Sequence, residues 1–370
     1  MGESLLRPSL YPLIMWTTLT DEALRLLSEL IRRPSVSREE GAVADYLEAY
    51  LREQGAAPRR LGHNVWCEQE ATPSDARPVL LLNAHIDTVR PVSGWQRNPF
   101  EPVSEDGRLY GLGSNDCGGG LVCLLLTFLS LRRERLPYRL VFLASAEEEV
   151  SGRGGIEAVL PELPEVAVAI VGEPTAMQPA IAEKGLMVLD CVARGKAGHA
   201  ARDEGVNAIY RALDDVAWFR SYVFPKVSPL LGPVKMSVTQ IEAGTQHNVV
   251  PDACKFVVDV RSNECYTNAE LLAAIEGQVG SEVRARSTRL SSSRIDEHHP
   301  LVQRAVALGG RAFGSPTLSD QALMPFPSFK YGPGHSSRSH TADEYIERAE
   351  LSDALAKYHA VITGRGVDEG

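Results

Sequence analysis

Three apolar runs, 79–82, 140–144 and 166–171, each stop within a few residues of a histidine or carboxylate. Runs this short, without a polar residue inside them, read as strands buried on both faces of a sheet. Amphipathic stretches separate them. A helix is expected over 20–32, with Thr20 or Asp21 as cap and Leu24, Leu27, Leu30 and Ile31 on one face. Others are expected over 39–54, closed by Gly55, and over 119–133 and 154–159. Strand and helix alternate, so the first half predicts an α/β layer on a mainly parallel sheet.

The texture changes after Lys184-Gly185. Strands are predicted over 186–193, 234–241, 255–260 and 283–290, with helices over 207–222 and 268–275. This β-α-β-β-α-β order is a split βαβ unit, inserted into the first architecture. From about Ile295 the chain returns to helix, strand and loop and ends in a helix over 350–362. The fold class is therefore α/β, with one domain built from two segments, 1–184 and 293–370, around an inserted α+β domain, 185–292. Residues 1–14 read as a loose extension.

Charge removes several functions. Of 370 residues, 38 are Lys or Arg and 48 are Asp or Glu, a net charge of −10. Such a surface repels phosphate backbones, so no nucleic acid partner is expected. The longest apolar run, 121–129, contains Thr127 and is too short to span a bilayer, so no membrane partner is expected either. Six cysteines without a CxxC pair fit a reduced, cytoplasmic protein in which they are small buried hydrophobes.

Chemistry-bearing residues gather after the apolar runs: Asn83-Ala-His-Ile-Asp-Thr-Val89, Gly113-Ser-Asn-Asp-Cys-Gly118, Ala146-Glu-Glu-Glu-Val150 and Val171-Gly-Glu-Pro-Thr175. Open α/β sheets bind ligands beyond the carboxyl ends of their strands, so these four segments should converge. Gly332-Pro-Gly-His-Ser-Ser-Arg-Ser-His340 supplies a fifth. Gly111-Leu-Gly113-Ser-Asn-Asp116 begins like a dinucleotide fingerprint, but Asp116 stands at its last position and would repel a pyrophosphate. Singly, each residue has a bland explanation: His85 as a hydrogen-bonded structural histidine, Glu173 as a solvated loop carboxylate, the triple Glu as charged surface. Together, five such coincidences in order do not. Outside these segments, His63, His298, His299 and His359 read as surface residues.

His85-x-Asp87, Asp116, Glu148-Glu149, Glu173 and His340 resemble the five motif blocks of the M20 metallopeptidase/deacylase family, in its acetylornithine deacetylase and succinyl-diaminopimelate desuccinylase branch. The resemblance spans about residues 20–365, insertion included. It implies two zinc ions, with Co²⁺ or Mn²⁺ as substitutes: His85 and Glu173 on one, Glu149 and His340 on the other, Asp116 bridging. Imidazole and carboxylate ligands suit zinc, and three carboxylates leave the pair at +1, which favours ionising a water. Asp87 matches the aspartate that orients the histidine ligand, and Glu148 the general base. The family has Asp-Glu-Glu where this chain has Glu147-Glu148-Glu149, and aligning Glu147 with that Asp sets Val150-Ser-Gly152 at the following turn.

In the insertion, Gly195-Lys-Ala-Gly-His199 resembles the segment whose histidine enters the partner subunit's site and stabilises an oxyanion, which implies a homodimer and a lid/dimerisation role. Asn248 and Arg261 resemble the pair that holds the substrate carboxylate, and Gly334 falls in the substrate-binding loop; His247 and His335 sit beside motif residues, but a substrate role is the less favoured reading for each. The chain departs from the family at Cys117-Gly118, where Met-Lys is usual, and a cis peptide is implied at Asp116-Cys117. Beside the metals, Cys117 is the one cysteine exposed to metal-catalysed oxidation. The expected reaction is deacylation of an N-acyl amino acid, N-acetyl-L-ornithine to L-ornithine and acetate in arginine biosynthesis. N-succinyl-L-ornithine, N-acetyl-citrulline and succinyl-diaminopimelate are alternatives, then dipeptides. A catalytically silent zinc scaffold is disfavoured because the full residue set is present.

Overall fold

A computed structural model describes residues 10–72, 75–202 and 204–367. It divides into two compact units, each with its own core. The first comprises the chain up to Ile181 together with Ile295–Phe313 and the segment from Met324 onward; the second comprises Ala182–Arg294 and Gly314–Leu323.

In the first unit the strands Arg139–Ser145, Val79–His85, Val166–Val171 and Ser328–Lys330 lie side by side and parallel. Asn64–Glu68 adds to the outer side of Arg139–Ser145 in the antiparallel sense, and Arg59–Leu61 adds to that strand, also antiparallel. Val79–His85 is buried at every position, as its unbroken apolar run requires of a central parallel strand. The register matters most. His85 stands opposite Ser145, while Asn83 and Lys330 both stand opposite Val171. The carboxyl ends of all four parallel strands therefore emerge at one edge.

The helix Gly119–Leu131 is buried on nearly every side, which its Leu-rich sequence anticipates. It approaches the sheet so closely that a Cβ on Gly120 would lie 1.7 Å from the carbonyl oxygen of Gly172. Only glycine fits there. The helices Leu10–Ile31 and Arg348–Thr363 pack with it. His359, expected at the surface, is buried: its ring meets Trp16 edge to face at 5.4 Å, and burial lowers its pKa. One stretch of the described residues, Ser114–Leu131, is long and apolar enough to cross a membrane, and 83% of it is buried inside the protein.

The first helix begins at Leu10, ten residues ahead of the expected start; positions 1–9 of the expected loose extension lie outside the described residues. Short strands also escaped the sequence reading, among them Val103–Glu105, Arg108–Tyr110 and Tyr345–Glu347, which form an antiparallel sheet of three. Strands of three residues carry too little periodicity to be seen.

The second unit holds a four-stranded antiparallel sheet in the order Lys235–Ala243, Ala253–Ser262, Gly185–Arg194, Glu282–Ala285. Along Gly185–Arg194 buried and partly exposed positions alternate, so one face packs inward. Met187, Leu189, Cys191, Phe256 and Val258 meet Phe219, Leu271 and Ile275 of the helices Ala208–Ser221 and Asn268–Glu276. Each fully buried Leu, Ile or Phe contributes about 1.5–3 kcal/mol. Asn207 caps the first helix by accepting from the Ile209 N–H at 2.9 Å, and Thr267 with Glu270 forms a capping box on the second.

The strand expected over 283–290 ends at Ala285. The stretch 314–323, assigned from sequence to the second catalytic segment, groups instead with the inserted unit. Ser315 accepts the Lys184 N–H at 3.2 Å, Ala322 accepts the Ser291 N–H at 3.0 Å, and Ser319 donates to the buried Glu183 carboxylate at 2.7 Å.

Candidate metal centre

The strand register brings the predicted ligands of the first unit together. His85 closes its strand, Glu149 lies in the turn Glu148–Val150 after Arg139–Ser145, and Glu173 follows Val166–Val171. Asp116 sits in the distorted turn Ser114–Gly118, where the Asp116–Cys117 peptide is cis. His340 follows the turn Ser336–Arg338 with a left-handed φ of 58°.

His85 Nε2 lies 3.3 Å from Asp116 Oδ1 and 3.7 Å from Glu173 Oε1. His340 Nε2 lies 3.0 Å from Glu149 Oε2 and 3.8 Å from Asp116 Oδ2. Asp116 thus faces one histidine with each oxygen, between two imidazole–carboxylate pairs. Donor atoms of His85, Asp116 and Glu149 all fall within 4.8 Å of one another.

Charge and burial test whether cations fit. Three carboxylates crowd the site, and Glu173 Oε1 is buried with no hydrogen-bond partner among the described residues. An orphaned carboxylate oxygen is costly unless a cation meets it. Burial, with Asp116 adding to it, pushes the Glu173 carboxyl up to about 8. The Glu149 carboxylate raises His340 to about 9. For Asp116 burial is the largest single effect and acts upward, but the hydrogen bond and charge of His85, with Ser339 and His340, together outweigh it and its pKa is lowered. The residues present fit a pair of divalent cations: oxygen and imidazole donors, a bridging carboxylate and an unsatisfied buried oxygen.

Two buried acids hold the ligands in place. The His85 Nδ1–H donates to the Asp87 backbone carbonyl at 2.8 Å, which leaves Nε2 aimed at the centre. The sequence expectation gave that role to the Asp87 carboxylate, whose nearer oxygen is 3.5 Å from Nδ1. Its oxygens are otherwise engaged, accepting the N–H groups of Glu148 and Glu149 at 3.0 and 3.1 Å and the Ser37 hydroxyl at 2.7 Å. Glu344, which the sequence reading missed, is 2% exposed and accepts from three backbone N–H groups: Gly113 at 2.9 Å, Asn115 at 2.8 Å and Asp116 at 2.8 Å. Burial, reinforced by Asp116, pushes Glu344 up to about 8 against those three bonds. Its only sequence signal was a carboxylate four residues after His340.

Other predicted residues take distinct positions. Gly334 has a φ of 80°, and a Cβ there would lie 2.3 Å from Asn115 Oδ1. The Asn115 amide holds the neighbouring His335 backbone through both its groups, at 2.9 and 3.1 Å. The Cys117 thiol is buried, accepts the His85 N–H at 3.2 Å and is pushed up by burial, so it stays protonated.

In the second unit, a two-stranded ribbon sets His199 opposite Val249, next to Asn248, and Asn248 accepts the Ala200 N–H at 3.0 Å. His247 is exposed beside them. Arg261 lies farther along the chain in the strand Ala253–Ser262, its fork on Asp259 at 2.9 and 3.1 Å.

Comparison with known proteins agrees. The sequence is 30% identical to succinyl-diaminopimelate desuccinylase of Cereibacter sphaeroides, over 91% of this chain and 97% of that one. It is 28% identical to acetylornithine deacetylase of Myxococcus xanthus, over 88% and 92%. Among solved structures, the aminopeptidase PepT of Bacillus cereus superposes with a TM-score of 0.76 at 19% identity, covering 93% of this chain and 98% of that one. YxeP of Bacillus subtilis, described as a dinuclear metal-binding peptidase of family M20, superposes at 0.68 and 17%, covering 94% and 98%. The profile of peptidase family M20/M25/M40 matches residues 81–364. The chain belongs to that family of dinuclear metal-dependent amide hydrolases.

Proposed function

We propose that this protein is a two-zinc deacylase of Nα-acyl amino acids that converts N-acetyl-L-ornithine to L-ornithine and acetate, in the cytoplasm and as a homodimer. The observation that carries the reading is the convergence of His85, Asp116, Glu149, Glu173 and His340, with the buried Glu173 oxygen left without a hydrogen-bond partner among the described residues. The named relatives support the substrate class, since both act on amides between an acyl group and an amino acid's nitrogen.

His85 and Glu173 would hold one cation, Glu149 and His340 the other, with Asp116 shared, and the pair would supply Lewis acidity and lower the pKa of a water. The protein's part is proton management and orientation. Glu148 directly precedes the proposed ligand Glu149, and its N–H is held by Asp87 Oδ1 at 3.0 Å. It takes the proton of the attacking water and returns it to the nitrogen that leaves as the amine. His199 of the second unit, contributed by a partner subunit, donates to the oxyanion developing on the former carbonyl oxygen. Asn248 and Arg261 hold the substrate α-carboxylate, for which Arg's planar fork is suited once it exchanges Asp259 for the substrate.

The succinylated substrates form the second reading, favoured by the 30% identity to a desuccinylase. A succinyl group brings a second carboxylate and calls for another cation. Of the nearby cations in sequence, Arg338 is committed: it meets Glu350 at 2.7 Å and stacks over Tyr345 at 4.3 Å. Arg153 and Arg202 are exposed, and the Lys184 ammonium donates to the Pro233 carbonyl.

The deciding experiment measures amine release from N-acetyl-ornithine, N-succinyl-ornithine and N-succinyl-diaminopimelate, side by side, on zinc-loaded protein. Glu148→Ala is the blank, expected to keep both metals and lose turnover by about 10²–10⁴. Preference for the acetyl compound supports the first reading and for a succinyl compound the second. Turnover of none overturns both, and near-wild-type activity of Glu148→Ala overturns the base assignment.

A further inference from the structure

Between Ser145 and Val150 the chain carries the proposed base and one proposed metal ligand through a stretch with no strand beside it among the described residues. The ladder on one side ends at His85↔Ser145 and on the other at Val65↔Ala144. Four consecutive N–H groups, from Ala146 to Glu149, must find acceptors elsewhere. Each finds a buried side-chain oxygen. Ala146 donates to Asn64 Oδ1 at 2.9 Å, Glu147 to Glu40 Oε1 at 3.1 Å, Glu148 to Asp87 Oδ1 at 3.0 Å and Glu149 to Asp87 Oδ2 at 3.1 Å. Asn64 and Glu40 are fully buried and Asp87 is 1% exposed.

Glu40 does more than fill a gap. The same Oε1 accepts the Arg38 N–H at 2.7 Å, and Oε2 meets His63 Nδ1 at 2.6 Å. Next to His63, the Asn64 amide donates to the carbonyls of Leu61 and Gly154 at 3.0 and 2.6 Å, reaching past the far end of the turn. A buried carboxylate carries a desolvation cost that its hydrogen bonds must offset. This one spends one of its three bonds on the residue directly before the base. Glu147 itself holds a left-handed φ of 55°, a conformation a non-glycine residue keeps only where its surroundings fix it.

We propose that Glu40, seated by His63 and assisted by Asn64, is a positioning residue for the reaction: through the Glu147 N–H it sets where the Glu148 and Glu149 side chains enter the centre. The proposal rests on the reading of Glu148 as base and Glu149 as ligand. A displacement of about 1 Å at the reacting groups costs on the order of 10²-fold in rate. Loss of the Glu40 anchor therefore acts on kcat and on the cation held by Glu149 and His340, while KM stays nearly fixed.

Three substitutions separate reach from charge. Glu40→Gln keeps an oxygen at the Glu147 and Arg38 N–H groups and offers its NH₂ to His63, so kcat is expected within about threefold of wild type. Glu40→Asp keeps the charge but falls one methylene short of Glu147, and Glu40→Ala removes the acceptor; both are expected to lower kcat by about 10–100-fold with KM within about threefold. Titration of metal-free protein with Co²⁺, followed by visible absorption, should show one of the two binding steps weakened about tenfold or more in Asp and Ala but not in Gln. Thermal melts identify the folded variants, and if Ala fails to fold the Gln and Asp pair decides.

Asp as active as Gln, or a folded Ala variant with wild-type kcat and both cobalt steps, overturns the proposal. Glu148→Ala in the same assay keeps the two failures apart. If it stays active, the base assignment is wrong, while the cobalt steps still report whether Glu40 holds the Glu149 side of the centre.

Discussion

Metal uptake by this centre should be a proton exchange, and its size follows from Glu173. With the carboxyl pushed up to about 8, the metal-free protein at pH 7 holds this group about nine-tenths protonated. A cation must displace that proton, which costs about tenfold in apparent affinity. Between pH 6 and pH 8 the ionised fraction rises from about 1% to about one half, so affinity should climb about fiftyfold from this residue alone. His340, raised to about 9, adds to the slope, although solvent screens this half-exposed ring.

The linked stability has a definite sign. The folded state holds the Glu173 proton up to about pH 8, while the unfolded chain releases it near 4.5, so metal-free stability falls from about pH 4.5 to 8 and levels above. The fall between pH 5 and 7 is about 3 kcal/mol, and Glu173→Gln should remove it. Apparent affinity by chelator competition and proton release in weakly buffered indicator test the first half, and denaturant titration of metal-free protein the second. Affinity independent of pH between 6 and 8, with no proton release, refutes the reasoning.

Three more predictions rest on other parts of the molecule. Glu344→Ala strands three buried N–H groups at about 1–3 kcal/mol each, a large share of a domain's stability, whereas Glu344→Gln keeps the oxygen shared by Asn115 and Asp116 and should melt much closer to wild type by calorimetry. Gly120→Ala drives a Cβ to 1.7 Å from the Gly172 carbonyl, so the residue before Glu173 must move; expect a loss of about 1–3 kcal/mol or more and one weakened Co²⁺ step. If His199 acts on the partner's site, mixing inactive His199→Ala and Glu148→Ala proteins under exchange conditions should restore roughly a quarter of wild-type activity, because half of the dimers then carry one intact site of two. No recovery from subunits that do exchange sinks the trans role.

The long elements were legible because burial imposes a period on them. The strand Val166–Val171 matches its apolar run, and the helices Gly41–Glu53 and Ala208–Ser221 lie within two residues of their expected ends. The five residues now gathered in the first unit were legible for a different reason. A candidate ligand must be His or a carboxylate, and the parallel sheet delivers His85, Glu149 and Glu173 at its strand ends, so for these three residue type and position coincide. Asp116 and His340 sit in or after turns outside the parallel strands. Helix Leu10–Ile31 overran its expectation because Thr20, which was expected to cap, instead bonds its hydroxyl to the Trp16 carbonyl at 2.7 Å inside the helix. The stretch 314–323 was misassigned because its ties to the inserted unit are single hydrogen bonds, which leave no pattern in a sequence.

The residues that escaped altogether share one physical feature. Metal ligands sit where regular structure stops, so their backbone N–H groups lose ladder partners just where the geometry must be tightest. The protein meets that demand with buried acceptors brought from far along the chain: Glu344 for the loop of Asp116, and Asn64, Glu40 and Asp87 for the loop of Glu148 and Glu149. An acceptor for a backbone N–H needs only an oxygen at the right point in space, and neither spacing nor periodicity announces it. Asp87 was found because it stands two residues from a ligand, and even so its carboxylate proved to serve the Glu148–Glu149 backbone more closely than the His85 ring. In a centre of this kind the chemistry can be read from the sequence, whereas the groups that hold it rigid become visible only when every buried N–H is followed to its acceptor.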